Sequence, residues 1–297
     1  MTPRTWLFVA LLPLFFAACT SPVSPTTGPA PVGKDGPAFV DTADIVWEEG
    51  APAGMQELQI PSAGSLLQGF LYTPNGKQPH PTLLLLHGFP GNERNLDLAQ
   101  AMRRHGWNVL YFDYRGSWGS QGTFSYRHCV EDVQHVVAWC KQYADSLHID
   151  TANIALFGHS MGGWTCLKAL PLLPGVKKGI ACSAWDLGAE LTEAHRGGND
   201  AAAEKKLGQY FVLNSSGKQM MQAVLADTSF HDLRHHGADL KDKQVFMVDE
   251  HTGNEALADS IRTYNKGLRY EVWKTDHPFT NKRHALIAAV MAFLEVK

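Results

Sequence analysis

Disulfide chemistry is the first thing this sequence lacks. Five cysteines are spread over 297 residues and none forms a Cys-x-x-Cys pair, so there is no framework of the kind that staples small secreted domains. Cys129 and Cys140 fall on one predicted helix, too far apart along its axis to bridge. Cys182 ends an apolar strand, and together with Cys166 these three read as buried apolar residues. No long basic run follows the first residues and the net charge is −3, which argues against a nucleic-acid partner. The segment Gly158–Gly163 lacks the Gly-x-Gly opening of a dinucleotide site and the Gly-Lys-Ser/Thr ending of a phosphate loop. His231, His235 and His236 have a spacing that could hold a metal, yet no His-Glu-x-x-His motif or carboxylate partner accompanies them. No metal and no cofactor are expected.

The apolar run from Trp6 to Phe16 is too short to count as a membrane span. With Arg4 before it and Ala17-Ala18-Cys19 after it, it has the basic, apolar and small-residue parts of a secretory signal. The small-small-Cys ending resembles the bacterial lipobox, with Phe16 where leucine is usual. That resemblance implies lipidation of Cys19 and an exported protein of the bacterial cell envelope, anchored to a membrane. The expected organisation is a signal peptide over 1–19, a Pro/Ser/Thr/Gly-rich tether over 20–45 with little apolar to bury, and one large domain over 46–297.

At 44% hydrophobic residues the chain can bury a full core. Residues 57–60 and 66–73 read as a hairpin, with turn signals at 61–64 and at Asn75-Gly76. Thr82–Leu86 is a continuous apolar run, as expected of a strand buried on both faces. A helix follows with Leu98, Ala99 and Met102 on one face and Gly106 as its stop. Trp107–Asp113 is a further strand. Apolar steps of three and four from Cys129 to Leu147 mark a helix. Strands are then expected at Asn153–Phe157, near Val176–Cys182, at Gln244–Val248 and at Leu268–Lys274, with helices at Glu255–Tyr264 and at the C-terminus. Alternation of this kind predicts an α/β fold, a mostly parallel central sheet with helices on both faces. Residues 187–240 are polar and helical in character, predicting a small cap inserted before the last two strands. Tyr210, Phe211, Met220 and Met221 are candidates either to line the site beneath it or to fasten the cap to the body.

Leu156-Phe157-Gly158-His159-Ser160-Met161-Gly162-Gly163 has the strand–turn–helix pattern of a nucleophile elbow. A serine hydroxyl becomes an effective nucleophile when it projects from a tight turn beside a base and near backbone N–H groups. Three further anchors follow strands: His87-Gly88-Phe89-Pro90-Gly91, Asp113-Tyr114-Arg115-Gly116 and Asp276-His277-Pro278-Phe279. On these four segments, residues 55–297 resemble the α/β-hydrolase superfamily, in its prolyl-oligopeptidase-like and serine-aminopeptidase-like branches. The resemblance implies Ser160 as nucleophile, His277 as base, and the backbone N–H groups of Phe89 and Met161 as oxyanion hole. A histidine titrating near neutrality can take the serine proton and return it to the leaving group.

A carboxylate must orient that histidine. Asp249 and Glu250 both follow the Gln244–Val248 strand; Asp249 fits the family pattern better, with Glu250 as the alternative. Asp276, adjacent to His277, is too tightly tethered to reach the far ring nitrogen. The expected activity is that of a serine hydrolase acting through an acyl-enzyme on carboxylic esters. A peptidase taking short peptides is the alternative, acyl transfer a third outcome, and a non-catalytic binding protein on the same fold the rival from another class.

Overall fold

The computed structural model describes residues 45–296. Cys19, the expected signal segment and all but the last residue of the expected tether lie outside them. Among the described residues no helix is long and apolar enough to cross a membrane.

The chain opens with a hairpin of β1 (Gly54–Ser62) and β2 (Ser65–Thr73). Its turn places Ala63 and Gly64 both at positive φ, the geometry that matches the twist of the flanking strands. Then come β3 (His80–Leu86), α1 (Leu96–Arg104), β4 (Asn108–Phe112), α2 (Tyr126–Gln142) and a single turn, α3 (Ala144–Leu147). The helix expected from Cys129 to Leu147 is therefore two pieces: it starts three residues earlier and breaks at Tyr143. After β5 (Ile149–His159), α4 (Met161–Ala169) and β6 (Lys178–Cys182) come four helices: α5 (Leu187–Arg196), α6 (Asp200–Leu207), α7 (Gly217–Ala226) and α8 (Thr228–His231). The sheet resumes with β7 (Gln244–Asp249), α9 (Glu255–Tyr264), β8 (Arg269–Val272) and α10 (Arg283–Leu294).

All eight strands form one sheet in the order β1-β2-β4-β3-β5-β6-β7-β8. The pairings of β2 with β1 and with β4 are antiparallel. From β4 to β8 every neighbouring pair is parallel. The apolar runs explain why. Successive strand residues point to opposite faces, so a strand covered on both sides must be apolar throughout. Leu84, Leu86, Leu110, Leu156, Val245 and Met247 pack on one face with α2, α4 and α9. Leu83, Leu85, Val109, Phe157, Phe246 and Val248 pack on the other with α1 and α10.

The cap is helical and sits between β6 and β7, as expected. Leu187, Leu191, Leu207, Met220, Met221 and Val224 join the larger core, so the two methionines fasten the cap to the body. Phe211 is 98% exposed, and of the four candidates Tyr210 lines the cavity described below.

At the turn into α4, backbone crosses backbone at close range. A Cβ on Gly158 would collide with the carbonyl of Gly162, and one on Gly162 with the carbonyls of Leu86 and His87. Gly162→Ala must push β3 away from α4, at an expected cost of about 3 kcal/mol and roughly 6–12 °C in Tm. A thermal melt unchanged within about a degree would contradict this close approach.

Candidate active site

Ser160 occupies the turn between β5 and α4 with φ 58° and ψ −119°, a strained backbone for a residue with a side chain. The surrounding hydrogen bonds hold it there. Its N–H donates to the Cys182 carbonyl (2.8 Å), and its own carbonyl accepts from Trp164 (3.1 Å) and Trp185 (3.0 Å). Met161 is the first residue of α4, so its N–H belongs to the first turn of the helix, where amides lack intrahelical partners. On the other side the β3 turn presses close. A Cβ on Gly88 would lie 3.1 Å from both the His159 carbonyl and the Ser160 Cβ. Glycine at 88 thereby brings Phe89 to the elbow.

His277 follows β8 and shares a cavity of about 460 Å³ with Ser160. Its Nδ1 lies 2.7 Å from Glu250 Oε1. The expectation that Asp249 takes this position is corrected: Glu250, the alternative, makes the contact. The reason is strand alternation. Asp249 is the last residue of β7 and keeps the alternation of Val245 and Met247, so its side chain turns into the protein and is fully buried. There Asn254 Nδ2 donates to its Oδ1 at 3.3 Å. One residue further along the chain the side chain leaves the sheet on the other side, and glutamate's extra methylene carries the carboxylate to the imidazole. Asp276 instead accepts from the Thr280 N–H (2.6 Å), within its own loop.

Two contacts were not legible from the motifs. His159 Nε2 donates to the His277 carbonyl at 2.9 Å, and the two rings are 4.7 Å apart, tying the elbow to the histidine loop. Burial, the largest influence, pushes His159 down to about 4, so it stays neutral and does not compete for the serine proton. The Ser183 hydroxyl donates to Glu250 Oε2. The only signal for Ser183 was its place just past β6, at the same sheet edge as Ser160.

The remaining walls are aromatic and charged. Phe89 meets Tyr210 edge to face at 5.2 Å and Trp185 at 6.0 Å. Trp185 Nε1 donates to Glu190 (2.5 Å), to which Lys206 also donates (3.4 Å). His231, His235 and His236 do not converge, and among the described residues no group of three metal-ligating side chains could hold an ion.

The profile of the X-Pro dipeptidyl-peptidase family, S15, matches residues 63–293. The chain belongs to the S15 family. Its fold is shared by solved structures that include two esterases. The esterase Pf2001 of Pyrococcus furiosus is 18% identical with a TM-score of 0.60, over 82% of this chain and 92% of that one. Est1E of Butyrivibrio proteoclasticus, solved with ferulic acid bound, is 18% identical with a TM-score of 0.61, over 80% and 98%. Among curated relatives, the lysophosphatidylserine lipase ABHD12 of Danio rerio is 31% identical over 39% of this chain and 28% of its own length. An uncharacterized protein, MT2364, of Mycobacterium tuberculosis is 31% identical over 37% of this chain and 39% of its own. The chain thus aligns with well under half of the relatives' length. This S15 member has an α/β-hydrolase fold, as the four motifs implied.

The two neighbouring carboxylates separate by experiment. Glu250→Gln is expected to lower kcat by about 10³–10⁴-fold, and Asp249→Asn by less than about tenfold. Asp249 has a second signature. Burial, the largest influence, raises its carboxyl from 3.8 to about 6. The folded protein therefore holds this proton more tightly than the unfolded chain. The resulting penalty is absent below about pH 4 and grows until about pH 6. Asp249→Asn should flatten the fall in stability across that window, measured by chemical denaturation at several pH values. An unchanged pH dependence would contradict the buried, proton-holding carboxyl.

Proposed function

We propose that this protein hydrolyses carboxylic esters through an acyl-enzyme, with Ser160 as nucleophile, His277 as base and Glu250 as the orienting acid. The observation that carries the proposal is the hydrogen bond from His277 Nδ1 to Glu250, made by an imidazole that lines one cavity with Ser160. With Nδ1–H committed to the carboxylate, Nε2 is left as the proton acceptor. Ser160 Oγ attacks the acyl carbonyl carbon while its proton passes to His277 Nε2. The resulting oxyanion is held by the N–H groups of Phe89 and Met161. Collapse breaks the bond to the leaving group, which takes the proton from His277. Water, deprotonated by the same nitrogen, then cleaves the acyl-enzyme and restores the serine.

The aromatic walls of Phe89, Trp185 and Tyr210 suit an apolar or planar acyl group, and the esterase folds of the solved neighbours support the ester reading. A peptidase is the second reading, favoured by the S15 profile itself. The domain is further proposed to be exported and anchored to a membrane of the bacterial cell envelope through lipidated Cys19, a reading supported by the sequence of residues 1–19.

A fluorophosphonate probe should label the wild-type protein and leave Ser160→Ala unlabelled, with turnover falling about a million-fold in that variant. Labelling that persists in Ser160→Ala would contradict the nucleophile. A panel of p-nitrophenyl esters and aminoacyl-prolyl amides decides the substrate class: higher kcat/KM on the esters is expected, and higher kcat/KM on the amides would favour the peptidase. Incorporation of labelled palmitate that vanishes in Cys19→Ala tests the anchor.

A further inference from the structure

A glutamate acid has one more rotatable bond than an aspartate, and that freedom has to be removed before its carboxylate can orient an imidazole. Here both oxygens of Glu250 are engaged. Oε1 lies 2.7 Å from His277 Nδ1, and Oε2 accepts from the Ser183 hydroxyl. Ser183 follows β6, the strand beside β7, and its N–H donates to the Val248 carbonyl at 2.8 Å. The serine is thus fixed to the strand that delivers Glu250. Its backbone has φ +47°, a region where glycine is the comfortable residue and a side chain costs about 1 kcal/mol or more. A serine kept in that conformation, 4% exposed and with its hydroxyl on a carboxylate, points to a use for the hydroxyl.

We propose that Ser183 is a positioning residue for the hydrolase reaction. Its hydroxyl pins Glu250 Oε2, so that Oε1 is presented to His277 in the one orientation that fixes the imidazole. The proposal rests on Glu250 being the orienting acid. The hydroxyl also holds down the proton affinity of Glu250. That carboxyl lies below its usual range despite burial, the largest influence, which acts the other way; the Ser183 and His277 hydrogen bonds outweigh it.

The test is a double-mutant cycle on the preferred ester, with kcat and KM for wild type, Ser183→Gly, Glu250→Gln and the double variant. Glycine removes the hydroxyl while accepting the positive φ, so the thermal midpoint is expected to hold. Ser183→Gly should lower kcat about ten- to a hundredfold, the worth of a hydrogen bond to a charged group, with KM changed by less than about twofold. In the Glu250→Gln background the same substitution should cost little more, because the group it acts through has gone. Full activity in Ser183→Gly, a loss confined to KM, or effects that multiply in the double variant would each overturn the proposal. So would collapse of the midpoint in Ser183→Gly, which would make the serine a structural residue. If Glu250→Gln keeps full activity, the acid assignment falls and the positioning role with it. If Glu250→Gln is slow and Ser183→Gly is not, only the positioning role falls.

Discussion

The conformation of Ser160 is the constraint on which the rest of the site depends. A serine at φ 58° and ψ −119° is stable only where surrounding structure over-determines it. Here β6, the β3 turn and the first turn of α4 all close on it. The glycines at 88, 158 and 162 are what allow that closure: at 158 and 162 a backbone atom stands where a Cβ would, and at 88 a Cβ would be crowded by the His159 carbonyl at 3.1 Å. One crossing of chains therefore exposes the hydroxyl, aligns the helix N–H groups behind it and brings Phe89 alongside. The sheet behind the crossing is apolar on both faces, which makes the frame stiff where the chemistry needs it.

Charge is distributed according to that frame. His87 and His159 are buried at the sheet edge and pushed down to about 4, burial being the largest influence on each. They act as neutral hydrogen-bonding groups: His87 Nδ1 donates to the Gly88 carbonyl (2.7 Å), and His159 donates to the His277 carbonyl. Both bonds brace loops of the site. Asp249 and Glu250, adjacent in the chain, have opposite fates. The first is fully enclosed and its carboxyl is raised; the second has two hydrogen-bond donors and its carboxyl is lowered. This is environment dividing like groups into different roles.

Much of this was readable from residues alone. Runs of leucine and valine gave the parallel strands because a strand covered on both faces has no room for polar side chains, and Glu255–Tyr264 was read to the residue because its periodicity is undisturbed. The elbow was legible because its glycines and serine are contiguous. The acid was not. Asp249 and Glu250 differ by one position, and the choice depends on which way a strand's last side chain points, a property of register that family spacing only approximates. Ser183 and the His159 contact were hidden for another reason: each joins residues distant in sequence through a single hydrogen bond, and no local pattern marks either end. The break at Tyr143 was missed because the apolar spacing continues across it.

The most direct test of the account is the crystal structure of the protein inhibited with an alkyl phosphonate. The account predicts phosphorus bonded to Ser160 Oγ, its oxygen facing the N–H groups of Phe89 and Met161, and His277 Nδ1 on Glu250 with Nε2 toward the adduct. An adduct on another residue, or His277 turned to Asp249 or away from the phosphonate, would contradict it.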